Sequence, residues 1–383
     1  MDIRRVSTAD DHAALARVWQ VVYRRDEPMD AATALNESEY GVTAWNGFEV
    51  LGGYSVVAHN AVLRGGAVRC GGIGGVGTMP EHRAGGVGKA LMRWSLGEMR
   101  ESGFGLACLY PYRETYYRQF GYETCGRRWQ IKCPVPRLPR TEAELSARKI
   151  SAADVLCLRP AYDGYIARLN GANRRTDADW THRLGQKPPM IWALGDPVEA
   201  YVWTHFDGAF WDDLTLGEVV WSTRRGYLSL LAFLRGLTIN RTAVIWEEPS
   251  NSPFMAAHMD QGVEVKLHRA AMFRVLNVPM AMAAIQPPET VGEFTMDLVD
   301  EDMPENHRVW QVAYGPDGVG AQPAPRSHAD FRLNIRAFTP AIMGEPSLAD
   351  LLHAGLVEVR NSAGLEAAIR LLPAMPCAMT EFF

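Results

Sequence analysis

The stretch from Cys70 to Tyr122 constrains this chain more than any other. An apolar, glycine-laden strand, Gly71 to Met79, runs into the turn Pro80-Glu81-His82-Arg83-Ala84-Gly85-Gly86-Val87-Gly88-Lys89, in which Arg83, Gly86 and Gly88 are spaced R-x-x-G-x-G. Behind the turn, Val87, Leu91, Trp94 and Leu96 recur at helical spacing, so a helix is expected to begin on glycines. Glycine there exposes backbone N–H groups and lets an anion come close, and the N-terminal end of the helix dipole adds partial positive charge. The pattern reads as a site for phosphate, and specifically for the pyrophosphate of a coenzyme.

Three other readings of the same residues compete with this one. Gly72-Ile73-Gly74-Gly75-Val76-Gly77 fits G-x-G-x-x-G, with Glu98 roughly 20 residues on as a ribose partner. That reading starts the helix near Pro80 and buries Gly85, Gly86 and Gly88 in its first turns, at roughly 1 kcal/mol per glycine. A Walker A loop needs Gly at position 83 and Ser or Thr at 90, where this chain has Arg83 and Ala90. The last alternative is a glycine-rich turn with no ligand.

The 383 residues, 47% hydrophobic and 22% charged, are enough for two or three globular domains with their own cores. A formal net charge of −5 argues against non-specific nucleic-acid binding and mildly favours cationic partners. Six cysteines at irregular spacing, with no C-x-x-C pair, point to a reduced cytoplasm. No signal-peptide pattern opens the sequence and no run approaches about 18 apolar residues, so no membrane partner is expected. No metal-ligand spacing is present; His59, His205 and His258 have no cluster partners, and His82 reads as a packing or phosphate-edge residue.

Taken in order, Ile3 to Val6 reads as a strand and Ala13 to Tyr23 as an amphipathic helix capped from Ser7 to Asp11. Strands are expected at Thr43 to Leu51, Gly53 to Leu63 and Gly66 to Ile73, separated by Gly52-Gly53 and Arg64-Gly65-Gly66, then at Leu106 to Tyr110 and Thr124 to Lys132. Three prolines between Pro134 and Pro139 end this first domain. A second domain repeats the element order: strands Met190 to Leu194, Glu199 to Phe206, Ala209 to Leu214 and Leu216 to Trp221, a helix from Arg225 to Leu237, and a strand Ala243 to Trp246. Its turn, Ser222 to Tyr227, lacks the second glycine and puts Tyr227 where Gly88 stands in the first copy, so no coenzyme is expected there. A third, α+β domain carries a helix Met280 to Ile285, strands near Phe294 to Val299, His307 to Tyr314 and Ala329 to Ile335, and helices Leu348 to His353 and Leu365 to Leu372.

The turn, its flanking strands and the tail Tyr116-Tyr117-Arg118-Gln119-Phe120-Gly121-Tyr122 together resemble the GCN5-related N-acetyltransferases (GNAT). The Y-x-x-F-G-Y tail, the chain length, Leu276-Asn277-Val278-Pro279 and the terminal Glu381-Phe382-Phe383 narrow the resemblance to the enhanced-intracellular-survival (Eis) family. It implies a mixed α/β and α+β fold: a catalytic GNAT domain at 1–133, a proline-rich linker at 134–148, a degenerate GNAT-like domain at 149–277 and a sterol-carrier-like domain at 278–383. It also implies a homo-oligomer, a hexamer in that family.

Acetyl transfer to an amine needs a held thioester, an oxyanion donor, a base for the amine proton and an acid for the leaving thiolate. By the resemblance, acetyl-CoA is the co-substrate, held by Arg83, Ala84, Gly85, Gly86, Gly88 and Lys89 and by the strand Val76-Gly77-Thr78, with the Val76 N–H as the oxyanion donor. Tyr117 takes the family's tyrosine position as acid; a phenol near pKa 10 suits a departing thiolate. No Asp, Glu or His lies between Cys70 and Met79 to serve as base. The apolar, aromatic end of the chain reads as tucked in, and in the family a final phenylalanine brings its α-carboxylate to the active site, which assigns the base to Phe383. Asp26 and Glu27, in the loop that lines the acceptor cleft in such transferases, and Glu381 are candidates for binding the acceptor; a solvated charge cluster is the blander reading of Asp26 and Glu27. The expected acceptor is a primary amine on an aminoglycoside-like polyamine or a lysine. The rival reading is a non-catalytic binding protein holding an apolar ligand in the third domain. The expected route is direct transfer without an acetyl-cysteine.

Overall fold

The computed structural model describes residues 1–23, 39–184, 189–206, 208–209, 211–268, 270–325 and 329–383. The chain divides into two compact units, one of Met1–Cys125, Ala271–Ala374 and Glu381–Phe383, the other of Gly126–Ala270 and Met375–Thr380.

The first unit opens with β1 (Asp2–Arg5) and α1 (Ala9–Val22), whose N-cap Thr8 forms a capping box with Asp11. Next come β2 (Tyr40–Asn46), β3 (Glu49–Leu63), β4 (Gly66–Thr78), α2 (Val87–Glu101), β5 (Leu106–Leu109), the short α3 (Glu114–Tyr117) and β6 (Glu123–Thr124). The expected break at Gly52-Gly53 does not occur. The turn falls at Gly47, φ +60°, and β3 runs on through both glycines, because a Cβ on either would stand 2.4 Å from a neighbouring strand's carbonyl, that of Gly77 or of Val42. These glycines mark close backbone approach.

The expected strand Thr124 to Lys132 splits at Gly126, φ +87°, and the chain there passes to the second unit. β7 (Arg128–Pro134) pairs with β12 (Ala243–Pro249) and β13 (Glu264–His268) in a seven-stranded sheet. β8 (Ala147–Ile150), β9 (Met190–Leu194), β10 (Ala200–Thr204) and β11 (Leu214–Trp221) complete it, with α4 (Arg159–Ile166), α5 (Asp177–Leu184), α6 (Arg224–Leu237) and α7 (Pro253–Ala257) around it. Among the described residues of the strand expected from Ala209, only Leu214 is in a strand, as the start of β11; the Asp212 carboxylate accepts from the Ala209 N–H in a turn before it.

The chain then returns to the first unit. β14 (Met272–Val275) inserts between β5 and β6 and completes that sheet in the order β1-β2-β3-β4-β5-β14-β6. β7, most of it within the span 1–133 expected of the first domain, pairs in the second sheet, and β14, within the span 149–277 expected of the second, pairs in the first. In the same unit follow α8 (Val278–Ala283), β15 (Gly292–Val299), β16 (Arg308–Gly315), β17 (Gly318–Ala324), β18 (Phe331–Asn334), α9 (Ile335–Met343), α10 (Leu348–His353), β19 (Glu358–Val359) and α11 (Ser362–Leu371), with a five-stranded sheet ordered β17-β16-β15-β18-β19. β17 and α9 are not anticipated from the sequence. Gly318, Gly320 and Pro323 disguise the strand, and Pro340 interrupts the helical pattern of a segment buried along nearly its whole length. The Arg64 guanidinium binds α9 to the β3–β4 turn, donating to the carbonyls of Ile342 at 2.7 Å and Ala341 at 2.9 Å.

Candidate active site

The site is built on an irregularity of β4. Gly53 pairs with Gly77 but Ser55 with Gly74, so β4 carries one residue more than β3 over the same span, a bulge at Gly75 and Val76. Gly75 takes φ +61°, and a Cβ on it would lie 2.5 Å from Trp19 Nε1. Trp19 Nε1 donates to the Gly75 carbonyl at 2.6 Å, and the Tyr23 hydroxyl donates to the Val76 carbonyl at 3.3 Å. Side chains at the end of α1 thus hold the bulge, and Gly74, Gly75, Val76 and Thr78 line a cavity of about 940 Å³.

The glycine turn makes the second wall. Gly86, φ +85°, is the N-cap of α2 and offers no side chain to cap it. The first amides of a helix have no intrahelical acceptor, and a Cβ on Gly86 would meet nothing within 4 Å. Gly86, Val87, Gly88 and Lys89 line the cavity together with Arg83 and Ala84, and Arg83 and Lys89 are exposed cations. Uncapped donors, an open cradle that a side chain would fill and two cations fit a pyrophosphate. Gly88 is glycine for another reason: a Cβ there would stand 2.7 Å from the Tyr116 hydroxyl, which packs on the first turn of α2. Gly77 and Gly85, both expected at the coenzyme, do not line the cavity; Gly77 faces Val18 and Val22 of α1.

The third wall is aromatic. Tyr117 is buried yet reaches the cavity, with the rings of Tyr116 and Tyr112 at 5.2 and 5.7 Å from its own. Burial, with smaller contributions from Tyr112, Tyr23 and Tyr116, pushes its phenol well above the ordinary tyrosine range. The end of the chain enters beside it. The Tyr110 hydroxyl donates to the Glu381 carbonyl at 2.7 Å, the Phe383 ring lies 4.8 Å from that of His59, and a Cβ on Gly74 would lie 3.4 Å from the Phe383 carboxyl carbon. A Cβ on Gly72 would strike the Phe383 ring at 2.8 Å, so β4 is glycine there to admit the terminus.

Tyr117, Phe383, Val76, Thr78 and most of the turn therefore share one cavity. Asp26 and Glu27 lie outside the described residues, and Glu381 contributes a backbone carbonyl to the wall of the chain end but does not line the cavity. His82 lines it and pairs with Glu49 at 3.1 Å; with Glu81 these form a surface trio of metal-ligand type, carrying no other feature of a metal site. Trp19, Tyr23, Tyr110 and Phe382 are site residues that sequence reasoning missed. Trp19 fits the apolar face of α1 and gives no separate signal; the aromatic pair at the chain end was the one available hint for Tyr110, since a buried terminus needs a donor for its carbonyls.

The corresponding helix of the second unit is closed. α6 is capped by Thr223, whose Oγ1 accepts from the Gly226 N–H at 3.0 Å, and the Glu199 carboxylate accepts from Thr223 and Arg225. A carboxylate and a hydroxyl of the chain itself occupy the place that an anion would take, and Tyr227 turns its hydroxyl to Glu248 at 2.9 Å.

Residues 2–125 match the Acetyltransferase (GNAT) domain family and residues 278–379 the Sterol carrier protein domain family. The chain carries an acetyltransferase domain of the GNAT class and, C-terminal to it, a sterol-carrier-like domain, and it is an acyltransferase. It is 25% identical to an uncharacterized N-acetyltransferase of Streptomyces avermitilis over 95% of each chain. Its fold is similar to that of a GCN5-related N-acetyltransferase from Anabaena variabilis (TM-score 0.87, 18% identity, 100% of both chains) and of Eis1 from Mycobacterium abscessus (TM-score 0.80, 19% identity, 100% of both chains). The likeness to Eis1 extends over the whole chain and is one of fold. GNAT domains use acetyl-CoA. Among the described residues, no helix is long and apolar enough to cross a membrane.

Proposed function

We propose that this protein transfers the acetyl group of acetyl-CoA directly to a primary amine, with Tyr117 as general acid and the Phe383 α-carboxylate as general base. The observation that carries this reading is the approach of the Phe383 carboxyl carbon to Gly74 in the cavity that Tyr117 and the Gly86 turn also line. Acetyl-CoA supplies a thioester carbonyl. The amides at the start of α2, with Arg83 and Lys89, would hold its pyrophosphate, and the Val76 N–H at the bulge would donate to the thioester oxygen as negative charge grows there. The Phe383 carboxylate takes the amine proton, since an α-carboxyl titrates near 3.5 and is ionised at neutral pH. As the C–N bond forms and the C–S bond breaks, Tyr117 gives its proton to the thiolate.

A protein that merely holds an apolar ligand in its third domain is the weaker reading. One cavity there, about 400 Å³, is lined by Thr295, Gln311, Asp330, Asn361 and Arg370 together with Phe294, Ala363 and Ala367, a mixed wall that suits a sterol poorly. The chain's six cysteines, irregularly spaced and without a C-x-x-C pair, also suit the reducing cytoplasm in which we place it.

The test has two arms. Gly86→Trp fills the open cradle and should abolish acetyl-CoA binding in calorimetry while the chain stays folded. Extending the chain by Gly-Ser moves the terminal charge by about 3.5 Å or more. Since a misplacement of about 1 Å can cost roughly 100-fold in rate, kcat should fall at least that far with acetyl-CoA affinity nearly unchanged. Unchanged affinity in the first arm removes the turn from coenzyme binding; full activity in the second removes Phe383 as base.

A further inference from the structure

Phe383 lies along one face of β4. A Cβ on Gly72 would stand 2.8 Å from its ring, and a Cβ on Gly74 would stand 3.4 Å from its carboxyl carbon. Residues two apart in a strand share a face, so ring and carboxyl rest on the same side of β4. β3 pairs Val57 with Gly72 and Ser55 with Gly74, which brings His59, two residues from Val57, to that side as well. The buried His59 imidazole flanks the ring: the centroids are 4.8 Å apart, and the same Cβ on Gly72 would stand 2.8 Å from Nε2. Tyr110, the residue after β5, adds its own ring at 5.5 Å. Since β4 lies between β3 and β5, these two contacts come from the strands on either side of it.

We infer that His59, Gly72 and Tyr110 form a slot for the terminal phenyl ring, that this slot positions the Phe383 carboxylate, and that it takes a free arylpropanoate once Phe383 is removed. This rests on the transfer reading above and adds to it the means by which the base is held. The Tyr110 hydroxyl ties the chain end at the Glu381 carbonyl, two residues short of the carboxylate. Several rotatable bonds lie between, and chain ends fray unless tied down. A base whose misplacement by about 1 Å is costly needs a second anchor, and the ring supplies it. Both ring pairs are tilted and fall in the range of about 4.5 to 7 Å that aromatic pairs prefer. Gly72 admits the ring, as glycine within a strand does where another group comes close. 3-Phenylpropanoate carries the ring, the two linking carbons and the carboxylate of Phe383 without its amide nitrogen, so it can bring both groups to their places unattached.

The test deletes Phe383, which leaves the chain ending about 3.5 Å short, and returns ring and carboxylate from solution. Calorimetry with acetyl-CoA present should find 3-phenylpropanoate bound by the shortened protein and not by the full-length one, whose slot is filled. Burial of one ring is worth a factor of about 10 to 100 in binding, so propanoate should bind more weakly by that factor. With whichever of kanamycin, spermidine and Nα-acetyllysine the full-length protein acetylates fastest, the shortened protein should be slower by about 100-fold or more. 3-Phenylpropanoate should restore the rate saturably, and 3-phenylpropanamide, which has the ring without the charge, should block that rescue. Gly72→Ala in the shortened protein puts a methyl group where the ring lies and should abolish both binding and rescue with acetyl-CoA affinity unchanged. Binding of 3-phenylpropanoate no tighter than propanoate, or equal binding by the full-length protein, overturns the slot and leaves the base assignment standing. Full activity of the shortened protein overturns both.

Discussion

At the residue scale, Tyr117, the acid of the proposed transfer, has surroundings that keep its proton in place. Burial disfavours the phenolate, so the group stays protonated through the whole range in which an ordinary tyrosine begins to ionise. Two expectations follow. Tyr117→Phe should lower kcat by about 100-fold or more with little change in acetyl-CoA affinity, and the wild-type kcat profile should show no alkaline decline below about pH 10. An alkaline limb near pH 9 that survives in Tyr117→Phe would take the acid role away from this residue. The place of Tyr117 in the cavity wall could be anticipated because its spacing to Phe120-Gly121-Tyr122 is local. Trp19 and Tyr110 could not, since what each does depends on a partner more than 50 residues away, Gly75 in one case and Glu381 in the other.

Among the elements, helix N-termini carry the functional contrast. α2 begins on Gly86 with no side-chain cap, while α6 begins on Thr223, whose hydroxyl already accepts from the Gly226 N–H. That difference was legible, because Gly86 and Gly88 against Arg225 and Tyr227 is a difference of residue type. The course of β3 through Gly52-Gly53 was not: glycines that turn the chain and glycines that admit a neighbouring carbonyl look alike until the neighbour is in place. α9 escaped for the same kind of reason, its Pro340 being tolerated only within the packing of the folded unit. The helix depends on Arg64, whose charged group is buried, and burial pushes its pKa down to about 10. Two charge-assisted bonds to the last carbonyls of α9 outweigh that cost. Arg64→Met should therefore destabilise the first unit by about 2 to 3 kcal/mol, seen as a lower denaturant midpoint; an unchanged midpoint would mean that solvent replaces those bonds freely.

For the molecule as a whole, the two units carry different liabilities. In the second, Glu218 is buried, which by itself would raise its pKa, but Arg175 and Arg183 with the Tyr201 hydroxyl pull it down to about 2 from an ordinary 4.5. A carboxylate held below its unfolded pKa adds stability that is present above about pH 4.5 and disappears as the pH falls toward 2. The loss amounts to about 3 kcal/mol. Trp180 and Trp203 lie within 6 Å of the Arg175 guanidinium, so acid titration followed by tryptophan fluorescence should report the loss directly. Glu218→Gln should flatten the acid slope while lowering stability at pH 7, and an unaltered slope would place the acid sensitivity elsewhere.

The place of β14 has a further consequence, one for synthesis rather than catalysis. β5 and β6 leave the ribosome together, but the strand that joins them follows only after roughly 150 more residues, about ten to thirty seconds of translation. Until then the inner edge of β5 is an unpaired row of N–H and C=O groups in a nascent chain, open to any strand that reaches it first. The acetyltransferase sheet can therefore close only after Gly126–Ala270, the bulk of the second unit, has been made. A pause in translation between residues 126 and 271 should raise the yield of aggregated protein, whereas a pause beyond Val275 should leave it unchanged.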